Sequence, residues 1–168
     1  MLSDNIELET EELKKIIYKL GHELFPKEIE LLLSIKGFSP LTAIALMADI
    51  VDIDRFPCVK KFCAYLRTAP KVKSSNNTTK IGSTNKFARS LSCSLLSQSV
   101  NHFAKSGDHL GSFYERIKVG KKAGVYRMAM IRKILVCAFY MLKRKKQFYW
   151  INEKLYKSKL SEFKKMVA

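Results

Sequence analysis

The chain has 168 residues, of which 47% are hydrophobic and 27% are charged. This size and composition suit one folded domain with a buried core and exclude a largely disordered chain. Residues 1–54 carry 5 basic and 11 acidic side chains, net −6, whereas residues 55–168 carry 26 and 4, net +22. The basic part predicts a polyanionic partner, either nucleic acid or an anionic membrane surface.

The sequence argues against the membrane alternative. The longest apolar run, residues 134–142, is shorter than the roughly 20 residues that a spanning helix needs, and basic residues flank it on both sides. We interpret it as a buried helix. The N-terminus lacks the basic-then-apolar order of a secretory signal, so we expect a cytoplasmic location without export or membrane association.

Helical patterns begin near the N-terminus. Apolar residues recur at helical spacing over residues 13–24, which predicts an amphipathic helix that needs a partner. Pro26 suits the first turn of a second helix ending near Leu33. Ser39 and Pro40 are typical of the N-cap and first turn of a third helix.

The remaining patterns are also helical. After an acidic turn at residues 49–54, Pro57 opens a fourth predicted helix, and a polar loop follows over residues 68–84. Further helices are predicted over residues 85–103, 109–118, 124–142 and 148–166. No period-two run of β-branched residues is present, so we predict an all-α fold.

The sequence predicts no metal site. Its four cysteines form no Cys-x-x-Cys pair and lie apart from the three histidines, which favours free thiols in a reducing cytoplasm. Asp49, Asp52 and Asp54 form the cluster of carboxylates that we considered for metal-assisted chemistry. Because they lie between two helices, we interpret them as capping and turn residues.

The connection SIKGFSP between the second and third helices is typical of a helix-hairpin-helix. Gly37 permits a tight turn, and the following helix begins with unpaired N–H groups that can hold a phosphate oxygen. We predict that Lys36, Gly37 and Ser39 bind DNA. An ordinary helix–helix corner that touches nothing would have the same spacing.

The polar loop combines hydroxyl, amide and ammonium groups. Ser75 is a candidate nucleophile, although a serine hydroxyl needs a base, a metal-bound group or nearby cations to attack a phosphodiester. The loop supplies cations but no activating base. The predicted DNA-binding residues of this region are Lys71, Lys73, Lys80, Gly82, Lys86 and Arg89. A solvated linker would have a similar composition.

A basic and aromatic segment follows the last buried helix. Residues 143–146 (KRKK) can bind phosphates or lipid headgroups, but they also suit a solvated helix end. Phe148, Tyr149 and Trp150 can stack on bases. Core packing is the interpretation that we favour for these three aromatic residues.

Four motifs occur in a fixed order along the chain. They are LLSIKGFSPLTAIALMADIVDIDRFPCVKKFCAYL, the pattern P-x4-S-x6-G-x3-K from Pro70 to Lys86, FYERIKVGKK, and AMIRKILVCAFYMLK. Together they span about residues 28–145. In this order and spacing they resemble the C-terminal domain of transposases of the insertion-sequence 110/116/902 type.

The resemblance implies DNA transposition by site-specific recombination, in which Ser75 attacks a DNA phosphodiester and becomes joined to the strand. In that family a separate ribonuclease-H-like domain with four metal-binding acids takes part, so Mg²⁺ is implied for that domain and no cofactor for this chain. The implied partners are DNA, a structured guide RNA, further copies of the chain and a full-length transposase. The implied location is the bacterial cytoplasm, in association with the nucleoid.

The chain also departs from the family pattern. Asn76 stands where the family has a glycine after Ser75, and Arg67 and Ala88 stand where it has glycines or proline. Arg67 and Ala88 would tolerate a left-handed backbone poorly. Ser74 becomes the candidate nucleophile if the register slips by one, although the spacing of the motif favours Ser75.

We therefore expect a truncated or degenerate copy that binds DNA without recombining it alone. The alternative is a non-catalytic nucleic-acid-binding module that associates with, or regulates, a full-length transposase. The predicted parts are an N-terminal amphipathic segment (1–27), a transposase C-terminal-type domain (28–147) and a C-terminal basic helix (148–168).

Overall fold

The structure is a computed structural model that describes residues 2–75, 78–84, 91–105 and 107–167. Eight α-helices and two β-strands occur in these ranges. The helices are α1 (Leu2–Leu24), α2 (Pro26–Leu33), α3 (Pro40–Ile50), α4 (Val59–Tyr65), α5 (Leu91–Ala104), α6 (His109–Lys118), α7 (Ala123–Arg144) and α8 (Glu153–Val167). The strands are β1 (Pro70–Ser75) and β2 (Thr78–Thr84), and a short 3₁₀ helix spans Ile53–Arg55.

Local sequence signals set several helix ends. Pro26 and Pro40 occupy the first turns of α2 and α3, as predicted, because a missing N–H costs nothing there. The Asp108 side chain caps α6 by accepting the N–H groups of Leu110 and Gly111 at 2.8 and 3.2 Å. α7 ends at Lys145, which takes a left-handed conformation.

One hydrophobic core joins the helices. α7 contributes its central apolar face, where Phe139 packs on Phe62 of α4 with ring centroids 5.3 Å apart. α8 reaches the same core through Phe163, which is fully buried and contacts Tyr18 of α1. The run 134–142 is therefore a buried helix, as predicted. None of the described helices is long and apolar enough to span a lipid bilayer.

α1 has two faces that differ in packing. One face lies so close to α3 that a Cβ on Gly21 would lie 2.6 Å from Ile44 Cγ1. The large apolar residues of the predicted range 13–24 are instead 38–67% exposed: Leu13, Ile16, Ile17, Leu20 and Leu24. The helix therefore forms where we predicted it, but its apolar stripe stays exposed.

The segment that we predicted as a loop contains an antiparallel β-hairpin, called the ribbon below. Register pairs include Val72 with Ile81, Lys73 with Lys80 and Ser75 with Thr78, and the pairing is irregular between Pro70 and Val72. The strands were missed because their sequences lack the regular alternation of apolar and polar residues that predicts a half-buried strand. The helical prediction holds for the eight helices, and this two-stranded ribbon is an addition to it.

Candidate nucleic-acid interface

The turn between α2 and α3 is defined by residues 34–39. Ser39 is exposed and is the N-cap of α3, with its Oγ accepting the N–H of Thr42 at 3.2 Å. Pro40 has no N–H, and Ala43 N–H donates to the Ser39 carbonyl at 3.0 Å. The helix terminus therefore presents fewer amides to an anion than its sequence suggests, since its own cap already uses them.

Gly37 has a different role from the one that we predicted. The left-handed glycines of the described residues are Gly107 and Gly120, so the turn does not use Gly37 for a special backbone angle. A Cβ at Gly37 would instead lie 2.6 Å from Phe103 Cδ1. Glycine is required because the buried Phe103 ring of α5 approaches the backbone of the turn.

Lys36 connects the turn to the end of α5. Its Nζ donates to the Lys105 carbonyl at 3.0 Å, which satisfies a C-terminal carbonyl of that helix. The side chain is half-buried. The ammonium that we predicted to bind DNA thus also has a structural contact.

A cleft of about 570 Å³ adjoins the turn. Its polar lining comes from α1, the turn, α5 with the residue that follows it, and α8. Those side chains are Tyr18, Lys36, Ser39, Ser99, His102, Lys105, Lys159 and Glu162. Cations outnumber the single carboxylate, so the cleft suits an anionic ligand. Sequence analysis missed the α5 and α8 members because helical periodicity does not show which helix faces which.

Lys159 differs from the other lysines of the cleft because its ammonium is bound by three backbone carbonyls. Its Nζ donates to the carbonyls of Leu33, Ile35 and Phe38 at 2.6, 2.8 and 3.1 Å. Burial lowers the pKa of Lys159 to about 8 from its ordinary value of 10.5. No local pattern distinguishes this lysine from its neighbours in α8.

The ribbon carries the other predicted residues. Because directly paired residues of antiparallel strands share a face, the register places Ser75, Thr78, Lys73 and Lys80 on one face of the ribbon. Ser74 lies on the opposite face. The two candidate nucleophiles are therefore on different sides, and Ser75 is the one that shares a face with two lysines.

Other predicted contacts lie around these pairs. Lys71 is at the irregular stretch of β1, and Gly82 is in β2. Lys86 and Arg89 lie outside the described residues. The predicted set is thus distributed between two elements, the α2–α3 turn and the ribbon.

The predicted capping role holds for Asp52, which is the N-cap of the 3₁₀ helix, whereas Asp49 lies inside α3 and not in a turn. Buried Asp49 accepts the N–H and the hydroxyl of Ser92 at 3.1 and 2.7 Å through Oδ2, which ties α3 to the start of α5. Asp52 accepts the Asp54 N–H at 2.8 Å, and Asp54 pairs with Lys143 at 2.7 Å.

Metal ligands are not assembled in the described part of the chain. No group of three or more His, Cys, Asp or Glu residues there could hold an ion. The cysteines are free thiols, and burial raises the pKa of Cys63, Cys93 and Cys137. The described residues therefore do not fit the Mg²⁺ that the family resemblance implies for another domain.

The aromatic segment after α7 is partly core and partly surface. Phe148 is buried, and its N–H donates to Ser34 Oγ at 2.9 Å. Trp150 stacks on His109 with centroids 5.1 Å apart, while Tyr149 is 85% exposed. Core packing, the interpretation that we favoured, holds for Phe148, and Tyr149 remains open for base stacking.

Comparison with known proteins identifies a family for this chain. No curated protein sequence matches the chain. The family model described as Transposase IS116/IS110/IS902 family matches residues 29–115, from α2 to α6. The matched segment is more than half of the chain and includes the α2–α3 turn and the ribbon. The chain therefore belongs to the IS116/IS110/IS902 family of transposases.

Proposed function

We propose that this chain binds DNA as the C-terminal part of an insertion-sequence transposase and presents Ser75 to a phosphodiester. The observation that carries the proposal is the ribbon register, which puts Ser75 on one face with Lys73 and Lys80 in a transposase-family chain. Ammonium groups neutralise phosphates and attract the strand. The basic surplus of residues 55–168 favours the same partner.

The proposed reaction is a transesterification. Ser75 Oγ forms a bond to phosphorus, the bond from phosphorus to one DNA oxygen breaks, and the serine proton leaves to a base while the departing oxygen takes up a proton. Lysines near the phosphate stabilise the negative charge of the transition state. The base and the metal-binding acids would come from another domain or another chain, so we expect these residues alone to bind DNA without recombining it.

DNA binding is tested by titrating labelled duplex DNA at several salt concentrations. We expect the logarithm of the association constant to fall linearly with the logarithm of the salt concentration. Structured RNA added as a competitor tests whether the same surface accepts the implied guide RNA. Binding that is absent at low ionic strength would refute the proposed function.

The nucleophile is tested by trapping a covalent DNA adduct of this chain in a mixture with a full-length transposase of the family and Mg²⁺. Ser75→Ala should abolish the adduct, and Ser74→Ala, the matched control on the other ribbon face, should retain it. An adduct that survives Ser75→Ala excludes this serine. Loss in Ser74→Ala alone would transfer the role to its neighbour.

A second candidate is a non-catalytic module that associates with or regulates a full-length transposase. The exposed apolar side chains of α1, including Ile6, Leu13 and Ile16, favour it because such surfaces mark interaction sites. Leu13→Glu should weaken co-assembly with the transposase and leave DNA affinity unchanged. Gel filtration of the mixture measures this, and equal co-assembly of wild type and variant contradicts it.

A further inference from the structure

We propose that Lys159 of α8 is a positioning residue that holds the α2–α3 turn in the shape that receives a DNA phosphate. The proposal rests on the DNA-binding function proposed above and adds a residue from outside the family match at residues 29–115. The contact between α8 and the turn would then be required for full DNA affinity.

The geometry shows a cation enclosed by carbonyl groups. The three acceptors of Lys159 Nζ come from both sides of the turn: Leu33 ends α2, Ile35 lies within the turn, and Phe38 precedes the N-cap of α3. An ammonium has three N–H donors, and here each has a carbonyl acceptor. Lys159 is therefore occupied as a donor, which favours positioning over direct phosphate contact.

The carbonyls give this contact its importance. Ile35 O also accepts the Phe38 N–H at 3.2 Å, so it keeps a donor if the ammonium is removed. Leu33 and Phe38 would lose the donor that the ammonium provides, and Phe38 lines the cleft that is proposed to take an anion. The ammonium thus joins the two sides of the turn and offsets carbonyl charge that would repel a phosphate.

α8 is held in place independently of Lys159. Phe163 is buried against Tyr18 and His22, and Lys164 pairs with Glu30 at 3.6 Å. The turn has a second tie in the Phe148 N–H to Ser34 Oγ bond. A variant of Lys159 should consequently keep the helix docked, so the effect of the ammonium can be measured by itself.

The test compares Lys159→Met with Lys157→Met in the full chain. Both substitutions remove one charge from α8, but Lys157 is exposed, whereas Lys159 is partly buried against the turn. Amide hydrogen exchange without DNA should accelerate about 10-fold at residues 35–43 in Lys159→Met alone, because the Leu33 and Phe38 carbonyls lose their donor. Equal exchange in the two variants would overturn the positioning role of Lys159.

DNA titration tests the link to phosphate binding. Relative to Lys157→Met, Lys159→Met should bind roughly 5- to 10-fold more weakly with an unchanged salt slope, because no phosphate contact is lost. A slope reduced by about one unit would show direct contact and overturn the positioning role. Equal affinity with accelerated exchange would overturn the link to DNA.

Two controls separate the possible failures. If the wild-type protein does not bind DNA, the proposed function fails. Accelerated exchange in Lys159→Met would still support the role of Lys159 in holding the turn. Lys159→Arg keeps a cation with several donors and should exchange within about 3-fold of wild type. If Lys159→Met does not fold, the arginine variant carries the test, and full loss of protection in it would contradict the proposal.

Discussion

The α2–α3 turn and the ribbon are both proposed to meet phosphates, yet different interactions hold them. The turn is fixed by α5 through Phe103 and Lys105, by Phe148 after α7, and by Lys159 of α8. The ribbon forms by pairing of two strands that are adjacent in sequence. The turn therefore depends on residues distant in sequence, whereas the strand pairing of the ribbon is local, and substitutions can test the two separately.

The largest expected effect concerns the anchor at the start of α5, where the chain returns from the ribbon. Asp49→Ala leaves Ser92 without its carboxylate acceptor and should lower the free energy of unfolding by about 2–3 kcal/mol. Asp52→Ala is the matched control, because it removes an exposed cap and should cost about 0.5–1 kcal/mol. Urea unfolding measures both values, and equal losses would contradict the anchoring role.

The next effect concerns the contact between the turn and α5. Gly37→Ala forces a methyl group into the Phe103 ring and should destabilise the protein by about 1–3 kcal/mol. Gly124→Ala meets no atom within 4 Å and should be neutral or slightly stabilising. In a double-mutant cycle, Phe103→Leu should reduce the penalty of Gly37→Ala. Strict additivity would show that the ring is not the obstacle.

A smaller change in stability, this time an increase on substitution by glycine, is expected at Arg67, just before the ribbon. Arg67 has φ 61°, so a position where the family has glycine or proline holds a left-handed arginine. Arg67→Gly should be more stable than Arg67→Ala by about 1 kcal/mol, since the Cβ is the source of strain. Both variants lack the arginine charge, so the difference between their thermal unfolding midpoints reports the backbone strain. A more stable alanine variant would refute this prediction.

Within the ribbon, stability and binding should change in opposite directions. Lys73 and Lys80 are directly opposite, and like charges in that arrangement destabilise a strand pair by about 0.2–1 kcal/mol. Lys73→Thr should therefore strengthen the ribbon, seen as slower amide exchange, while reducing the salt slope of DNA binding by about one unit. A variant with slower exchange and an unchanged slope would remove Lys73 from the interface.

The smallest expected effect is on the pH dependence of stability. The pKa of Lys159 is about 8 in the folded state, below the ordinary 10.5, so folding releases a proton between these values. The free energy of unfolding should rise from about pH 8 to about pH 10.5, by a modest amount because the side chain is only partly buried. Lys159→Met should lack this rise, and identical pH profiles would contradict it.

Much of the helical fold follows from the sequence. Pro26, Ser39 and Pro40 set the ends of α2 and α3 as predicted, because capping and proline geometry are local. α8 begins at Glu153, later than the predicted 148, because Phe148 enters the core and the Asn152 side chain accepts the Leu155 N–H. The ribbon was missed because Val72 with Ile81 is the one pair of large apolar residues in the register, which is too little for an apolar periodicity.

The site was predictable only in part. Side-chain chemistry alone was enough to predict Lys36, Ser39, Lys73 and Ser75 as candidates. The ribbon register then groups Lys73 and Ser75 on one face. Gly37 was chosen correctly as a special position but for the wrong physical reason. Lys159 and Asp49 act through contacts that span 121 and 43 residues of sequence, which no local pattern reveals.

α3 has a further consequence for how a DNA strand could lie on this protein. One end of this helix follows the turn, and the other end, through Asp49, holds the start of α5. At 1.5 Å per residue its 11 residues form a stiff rod of roughly 16 Å. Along one strand of a duplex this length equals roughly five nucleotides at 3.4 Å each. If the turn binds a phosphate as proposed, α3 sets a distance of roughly 16 Å between that phosphate and the start of α5.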